Sequence, residues 1–285
     1  MSLLLILEQG LNGLQFGVML FLMAAGLTLV FGIMNLVNLA HGSLYMIGAY
    51  LAATFFAWTG SFLLAVALSL LATLVVGIVV ELTALRTLYE RDHLDQVLAT
   101  FGLILFFNEL IAILWGRAAL YTGVPPALVG LGVALLLYVV VARTRLGMLI
   151  RAGASNRTMV AALGVNIRFL STLVFGGGAA LAGLAGLMAG PIYAVQPGMG
   201  EQILIQVFVV IVIGGIGSIH GALVGAILVG MVDTLGRAFL RPVLSTVITP
   251  TAADAAGPAL ASILIYVLMA AVLFFRPQGL FPARG

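Results

Sequence analysis

Cysteine and lysine are both missing from these 285 residues, and each absence removes chemistry. Without a thiol there is no disulfide, no thiolate nucleophile and no sulfur-ligated metal site. Without lysine there is neither a Schiff-base amine nor a phosphate loop of the G-x-x-x-x-G-K-[ST] type. Charge of either sign is scarce: 7% of the chain is charged and 63% is hydrophobic. Soluble domains carry about 25% charged residues, whereas the mean hydropathy here is +1.27. That much apolar surface cannot be buried inside a water-soluble body of this length, so part of the solvent is lipid. The net charge of +3 is too small to imply a nucleic-acid partner.

A helix crossing roughly 30 Å of hydrocarbon needs about 20 mainly apolar residues. Candidate segments run over 12–34, 42–58, 62–85, 96–115, 127–142, 167–190, 202–217, 221–240 and 259–275. The segments 127–142 and 202–217 are short for a full crossing. The expected architecture is an all-α, polytopic transmembrane bundle of eight or nine spans in two weakly related halves, about 12–115 and 167–275. The first segment lacks a basic leader and carries Glu8, so it reads as a span rather than a cleaved signal. Every basic residue is arginine, and Arg143, Arg145, Arg151, Arg157 and Arg168 bracket one polar loop. The excess of arginine predicts that this loop is cytoplasmic, together with the Arg86–Asp95 loop and the C-terminal "RPQGLFPARG".

What is present is as informative as what is missing. Two of the three histidines sit in "NLAHGSLY" and "GSIHGALV", each followed by glycine between long apolar runs. Glycine in a helix interior costs roughly 1 kcal/mol relative to alanine. Helix interruptions at membrane depth are tolerated where they face protein or a water-lined path, and paired interruptions in two halves point to a transport site. Ordinary punctuation at an interfacial turn is the competing reading of each His-Gly. Small residues at four-residue spacing, such as Gly13/Gly17, Ala179/Gly183, Ala182/Gly186 and Gly217/Gly221, predict close helix packing. "GGIGS" resembles a phosphate cradle, but the lysine such a loop needs is absent.

The few acids divide by position. Asp233 stands four residues before Arg237, a same-face helix pair. Glu201 suits the start of a helix, and Glu81 is expected to snorkel from a cytoplasmic helix end. Glu109, beside Asn108 and near Trp115, is the acid least easily assigned a structural role. No pair of carboxylates has catalytic spacing and no H-E-x-x-H motif occurs, so neither enzymatic chemistry nor a metal site is expected. Residues 143–168 predict a short helix with Ser155 or Asn156 as N-cap and a stop at Gly164. Met159 and Leu163 on one side of it would suit the groove of a cytoplasmic partner; a plain positive-inside signal is the alternative.

Six blocks, in order, carry a resemblance: "LNGLQFGVMLFLMAAGLTLVFGIMNLVNLAHGSLYMIGAY", "ATFGLILFFNE", "RTRLGMLIRAGASNRTMVAALGVN", "LAGLAGLMAGPIYAVQPGMG", "GGIGSIHGALVGAILVG" and "FRPQGLF". Together they resemble the LivH-type permeases of branched-chain amino acid ATP-binding-cassette (ABC) importers over nearly the whole chain. The resemblance implies one transmembrane permease domain, 1–285, in a bacterial inner membrane. It implies a LivM-type second permease, two cytoplasmic ATPases that bind ATP and magnesium, and a periplasmic substrate-binding protein; no cofactor is expected in this chain. The coupling loop would occupy about 147–166, with Arg145, Gly147, Arg151, Met159, Ala161, Ala162, Leu163 and Gly164 facing the ATPases. The chain departs from the family's acidic D-x-E-A-A pattern there, with Asn156, Thr158, Met159 and Val160 in its place. The substrate path would involve Asn35, Asn38, His41, Gly42, Ser43, Tyr45, Thr100 and Asn108 from the first half. From the second it would take Gly214, Gly215, Gly217, Ser218, His220 and Gly221. The expected cargo is a branched-chain or other hydrophobic amino acid. The alternatives are an amide, urea or other small-solute permease, and a stand-alone secondary transporter or channel.

Overall fold

The computed structural model describes residues 3–89, 91–120, 139, 143–155, 157–190 and 193–281. Among these, ten α-helices follow one another: α1 Leu3–Met34, α2 His41–Thr59, α3 Phe62–Val80, α4 His93–Trp115 and α5 Arg145–Ser155. They continue with α6 Arg157–Ala162, α7 Ile167–Ala189, α8 Met199–Gly214, α9 Ile219–Leu244 and α10 Pro250–Phe275. A π-helical turn, Glu81–Leu85, and a 3-10 turn, Arg86–Leu88, prolong α3. The described residues contain no strand beyond a single bridge, in which Leu120 and Val195 exchange backbone hydrogen bonds of 2.8 and 2.9 Å.

Local chemistry sets the helix ends. Gly60 adopts φ +62° and closes α2 with its N–H on the Phe56 carbonyl. The Asn166 side chain caps α7 by accepting from the Phe169 N–H at 3.1 Å, and Ser218 caps α9 by accepting from the Gly221 N–H at 3.0 Å. Each cap satisfies one of the N–H groups that a helix start leaves without an intrahelical partner.

The chain divides into two compact units. One comprises residues 25–205 and the other residues 1–24 with 206–284. In the first, α2, α3 and α7 pack on one another through small residues. A Cβ added to Gly48 would overlap the backbone of Gly183, and one added to Gly183 would lie 2.7 Å from Thr73 Oγ1. Gly186 faces the Tyr45 carbonyl, and Gly26 faces the Gly178 carbonyl. The run "GGGAALAGLAGLMAG" is therefore a packing surface. In the second unit, a Cβ on Gly230 would stand 2.5 Å from Gly17 N and 2.6 Å from Gly13 O, which brings the start of α1 against α9. Lipid tails are as apolar as leucine, so these contacts hold by close backbone approach and dispersion rather than by transfer out of water. The pair Asp233–Arg237 forms at 2.8 Å, and the same guanidinium reaches Ser262 Oγ on α10 at 3.3 Å.

Two expectations change. Among the described residues six helices, against the eight or nine spans expected of the whole chain, are long and apolar enough to span: Leu4–Met34, Phe62–Leu88, His93–Trp115, Ile167–Ala189, Ile219–Leu244 and Pro250–Phe275. Helix α8 has 16 residues, about 24 Å at 1.5 Å per residue. Helix α2 is diluted by His41, Gly42, Ser43 and its tyrosines, and it is buried over most of its first half. The segment 127–142 lies outside the described residues apart from Val139. The second change concerns Glu81, which does not snorkel. Its side chain is fully buried, and Arg86 pairs with it at 3.0 Å.

Candidate functional site: two helix breaks and an arginine-bordered segment

The first break separates α1 from α2. Asn35 takes φ +52°, the single positive φ at a non-glycine among the described residues. Asparagine tolerates that left-handed geometry better than most side chains. The Asn35 N–H makes the last helical bond of α1, to the Phe31 carbonyl at 2.9 Å; residues 35–38 lie outside regular helix, a turn occupies 39–40, and α2 restarts at His41. The restart has no side-chain cap: the N-cap is Ala40, and the His41 N–H instead reaches back to the Asn38 carbonyl at 3.3 Å. Gly42 follows because a Cβ there would overlap the Gly200 carbonyl at the start of α8. Two helix starts thus meet backbone to backbone.

Polar side chains at this break are enclosed. Asn38, His41, Ser43 and Tyr45 have relative exposures of 0, 0, 3 and 2%. The His41 ring lies against Gly26, where an added Cβ would stand 3.1 Å from Nε2. Neither polar atom of the Asn38 side chain finds a hydrogen-bond partner among the described residues. A buried, unpaired amide costs about 1–3 kcal/mol, so this one stands out against the packing economy around it. Of the first-half residues read as path-lining, Asn35 is exposed and serves the turn. Thr100 is buried, but its hydroxyl binds the Gln96 carbonyl of its own helix at 2.8 Å. Asn108 binds Glu201 at 2.6 Å.

The second break, residues 215–218, separates α8 from α9. Gly215 and Gly217 take φ +106° and +83°. The end of α8 is closed from a distance: Leu280 and Phe281 donate N–H groups to the carbonyls of Ile213 and Gly214, each at 2.9 Å. Gly279, at φ +82°, allows this, since a Cβ there would stand 2.6 Å from Gly215 N and Cα. The glycines of "GGIGS" therefore serve a backbone clasp with the "RPQGLF" stretch. Gly221 packs on Gly214 much as Gly42 packs on Gly200. Ser218 is spent on the cap, and His220 is exposed.

The arginine-bordered segment forms α5 and α6. Gly147 is buried and Arg145 is exposed, while Arg151 lies within α5. Val160 is buried at 5%, whereas Met159 and Leu163 are 60 and 77% exposed and Ala161 and Ala162 are exposed as well. Gly164 ends α6 at φ +84° with nothing near its Cβ position. Asn156 lies outside the described residues. The short helix and its glycine stop agree with the pattern read from the sequence. Its outer side presents apolar side chains to whatever covers it.

A third feature lies at the α4 end of the first unit. Asn108, Glu109, Ala112, Arg117, Gln196, Pro197 and Gly198 line a hollow of about 300 Å³. Glu109, the acid left without a role, pairs with Arg117 at 3.0 Å, and both are well exposed. Trp115 donates to Thr54 Oγ1 at 2.9 Å and stacks on Tyr50 with ring centroids 5.3 Å apart. Among the described residues no cluster of His, Cys, Asp or Glu is placed to hold a metal.

Comparison with known proteins follows the same lines. A family model described as "Branched-chain amino acid transport system / permease component" matches residues 10–273. The high-affinity branched-chain amino acid transport system permease protein BraD of Pseudomonas aeruginosa is 31% identical, covering 96% of this chain and 95% of its own. The corresponding LivH protein of Escherichia coli K12 is 29% identical over 82% of this chain and 87% of its own. A probable LivH permease of Methanocaldococcus jannaschii is 28% identical over 80% of each. No solved structure matches the chain. With its spans, its paired helix breaks and a family match over residues 10–273, this multi-pass membrane protein belongs to the permease components of branched-chain amino acid transport systems.

Proposed function

We propose that this chain is one of two permease subunits of an ABC importer in a bacterial inner membrane, carrying branched-chain or other hydrophobic amino acids by alternating access. A LivM-type second permease completes the path. Two cytoplasmic ATPases supply the work, and a periplasmic binding protein delivers the solute. The single observation that carries this reading is Asn38: a fully buried amide in an unwound segment, with both polar atoms unpartnered among the described residues. An amide offers donors and an acceptor together, which suits the ammonium and carboxylate ends of an amino acid. The neighbouring Leu36 and Leu44 are buried and suit an aliphatic side chain. Unwound backbone at mid-membrane serves the same purpose in transporters built on broken helices.

Power enters through residues 147–166. The exposed Met159 and Leu163 fit the groove of an ATPase as an amphipathic helix fits a partner. Closing of the ATP-bound ATPases pushes α6, and the turn at Gly164 passes the motion to α7. The path then changes its side of access.

Asn38→Leu tests the reading. Replacing a buried unpaired amide by leucine removes the desolvation penalty, so a purely structural Asn38 predicts a variant at least as stable and equally active. The proposal predicts normal assembly with leucine uptake reduced about tenfold, equivalent to about 1.4 kcal/mol in the transport barrier. Uptake in proteoliposomes containing the whole complex decides between them.

A further inference from the structure

We infer that Glu81 is a positioning residue for energy coupling, the buried centre of a half-buried clasp that fastens the end of α3 to the start of α7. This inference rests on the proposed role of residues 147–166 as the segment that receives the push.

The geometry is specific. The Glu81 carboxylate is fully buried and accepts four hydrogen bonds from three residues. Arg86 donates Nε to Oε1 at 3.2 Å and Nη2 to Oε2 at 3.0 Å. Tyr89 donates its hydroxyl to Oε1 at 2.8 Å. Thr172, on α7, donates its hydroxyl to Oε2 at 2.9 Å and accepts from Arg86 Nη2 at 2.8 Å, so it closes the ring across 91 residues of sequence. The Arg168 carbonyl, at 3.0 Å, competes for the same hydroxyl proton. These bonds stand in for the water that burial takes from the carboxylate.

Stability alone does not explain such a device. Burying the Glu81 carboxylate carries a desolvation cost that its half-exposed partner Arg86 repays only with good geometry, and packed apolar residues of similar volume often serve as well. Glu81 also begins a π-helical turn, Glu81–Leu85. Such turns are rare and concentrate at functional sites. Its partner sits in the second turn of α7, the helix that begins at Ile167, directly after α6 and the Gly164 turn. A push on α6 reaches α7 first. The clasp makes α3 follow α7 instead of sliding past it, because a fork of charged hydrogen bonds resists shear more than the glycine–methylene contacts farther along the two helices. Gly176 against Ile78 is a contact of that smoother kind.

The test uses the complete transporter in proteoliposomes, with the ATPases and binding protein present and leucine as the probe. Leucine moved and ATP hydrolysed are measured together, and both are scaled to the amount of assembled complex. Thr172→Val removes one hydroxyl and leaves the carboxylate paired with Arg86. It should lower leucine moved per ATP about threefold, while Thr172→Ser retains the wild-type ratio. Glu81→Gln and Arg86→Lys should lower the ratio about tenfold, since neither an amide nor a point charge reproduces the forked pair. A clasp that merely holds the fold predicts less assembled complex but an unchanged ratio in all of them. That result, or a Thr172→Ser variant as impaired as Thr172→Val, overturns the inference. If Glu81→Gln does not assemble, the Thr172 pair decides alone. A normal ratio in the Thr172 and Glu81 variants beside a lowered ratio in variants of α6 would discard the clasp and keep the coupling segment. A normal ratio in the α6 variants would discard the coupling segment, and the clasp with it.

Discussion

His41-Gly42 and His220-Gly221 look alike in sequence and differ in space. In both, the chain leaves one helix, crosses four to six residues and starts the next helix at or just before the histidine. In both, the glycine meets the backbone of another glycine: Gly200 for the first, Gly214 for the second. The histidines part company. His41 is fully buried beside Gly26, whereas His220 is exposed. The caps differ too, with Ser218 capping α9 and Ala40 leaving the start of α2 without a side-chain cap. The repeated element is a way of bringing backbones together. Enclosed polar side chains mark the first copy, where burial makes polar groups costly and therefore informative.

The glycines give the strongest way to break that comparison. Gly42→Ala and Gly221→Ala each force a methyl group into backbone that has no side chain to move aside. Each should destabilise by about 3 kcal/mol, read as a fall in the thermal midpoint of purified protein in detergent. Gly177→Ala, whose Cβ position has nothing within 4 Å, is the control. It should gain a few tenths of a kcal/mol, up to about 1 kcal/mol, from helix propensity. A tolerated Gly221→Ala would mean that the two copies do not share the device.

The histidines give the next largest contrast. His41→Leu should reduce leucine uptake about tenfold at equal assembly, and His220→Leu should leave it within about twofold. Equal effects at both sites would restore the symmetric reading that the sequence invites. Smaller still is Ser218→Ala, which removes a cap worth about 1 kcal/mol. It should lower the thermal midpoint slightly and leave uptake per assembled complex unchanged.

How much of this the sequence disclosed depends on the range of the interaction. The breaks before His41 and His220, the short helix ending at Gly164 and the Asp233–Arg237 pair are written in neighbouring residues, where turn and helix chemistry operates. The crowded face of α7 is legible for the same reason, as small residues four apart. Partners far along the chain are not legible. Glu81 reads as a snorkelling acid because nothing near it reveals Thr172, and the Asn108–Glu201 bond spans 93 residues. The Asn166 cap has a local signal, since an asparagine just before an apolar run marks a helix start. Among the described residues α2 and α8 fall short of a spanning helix, the first through its polar start and the second through its length, which apolar runs alone do not reveal. The first half of α2 is buried in its unit, where polar residues are tolerated. Glycine gave the right position at both breaks but could not name the facing backbone.

The central claim is that this permease is worked from the ATPase side through residues 147–166. The most direct measurement records leucine uptake and ATP hydrolysis together in proteoliposomes holding the full transporter, with Leu163→Asp and Gly164→Val compared to wild type. Both substitutions alter the exposed end of α6, and the second also strains a backbone at φ +84°, where a β-branched residue costs about 1–3 kcal/mol. The account predicts assembled complexes that still bind the loaded binding protein but move about tenfold less leucine per ATP. Unchanged uptake in both variants, or full-rate uptake in vesicles lacking the ATPases, would contradict it.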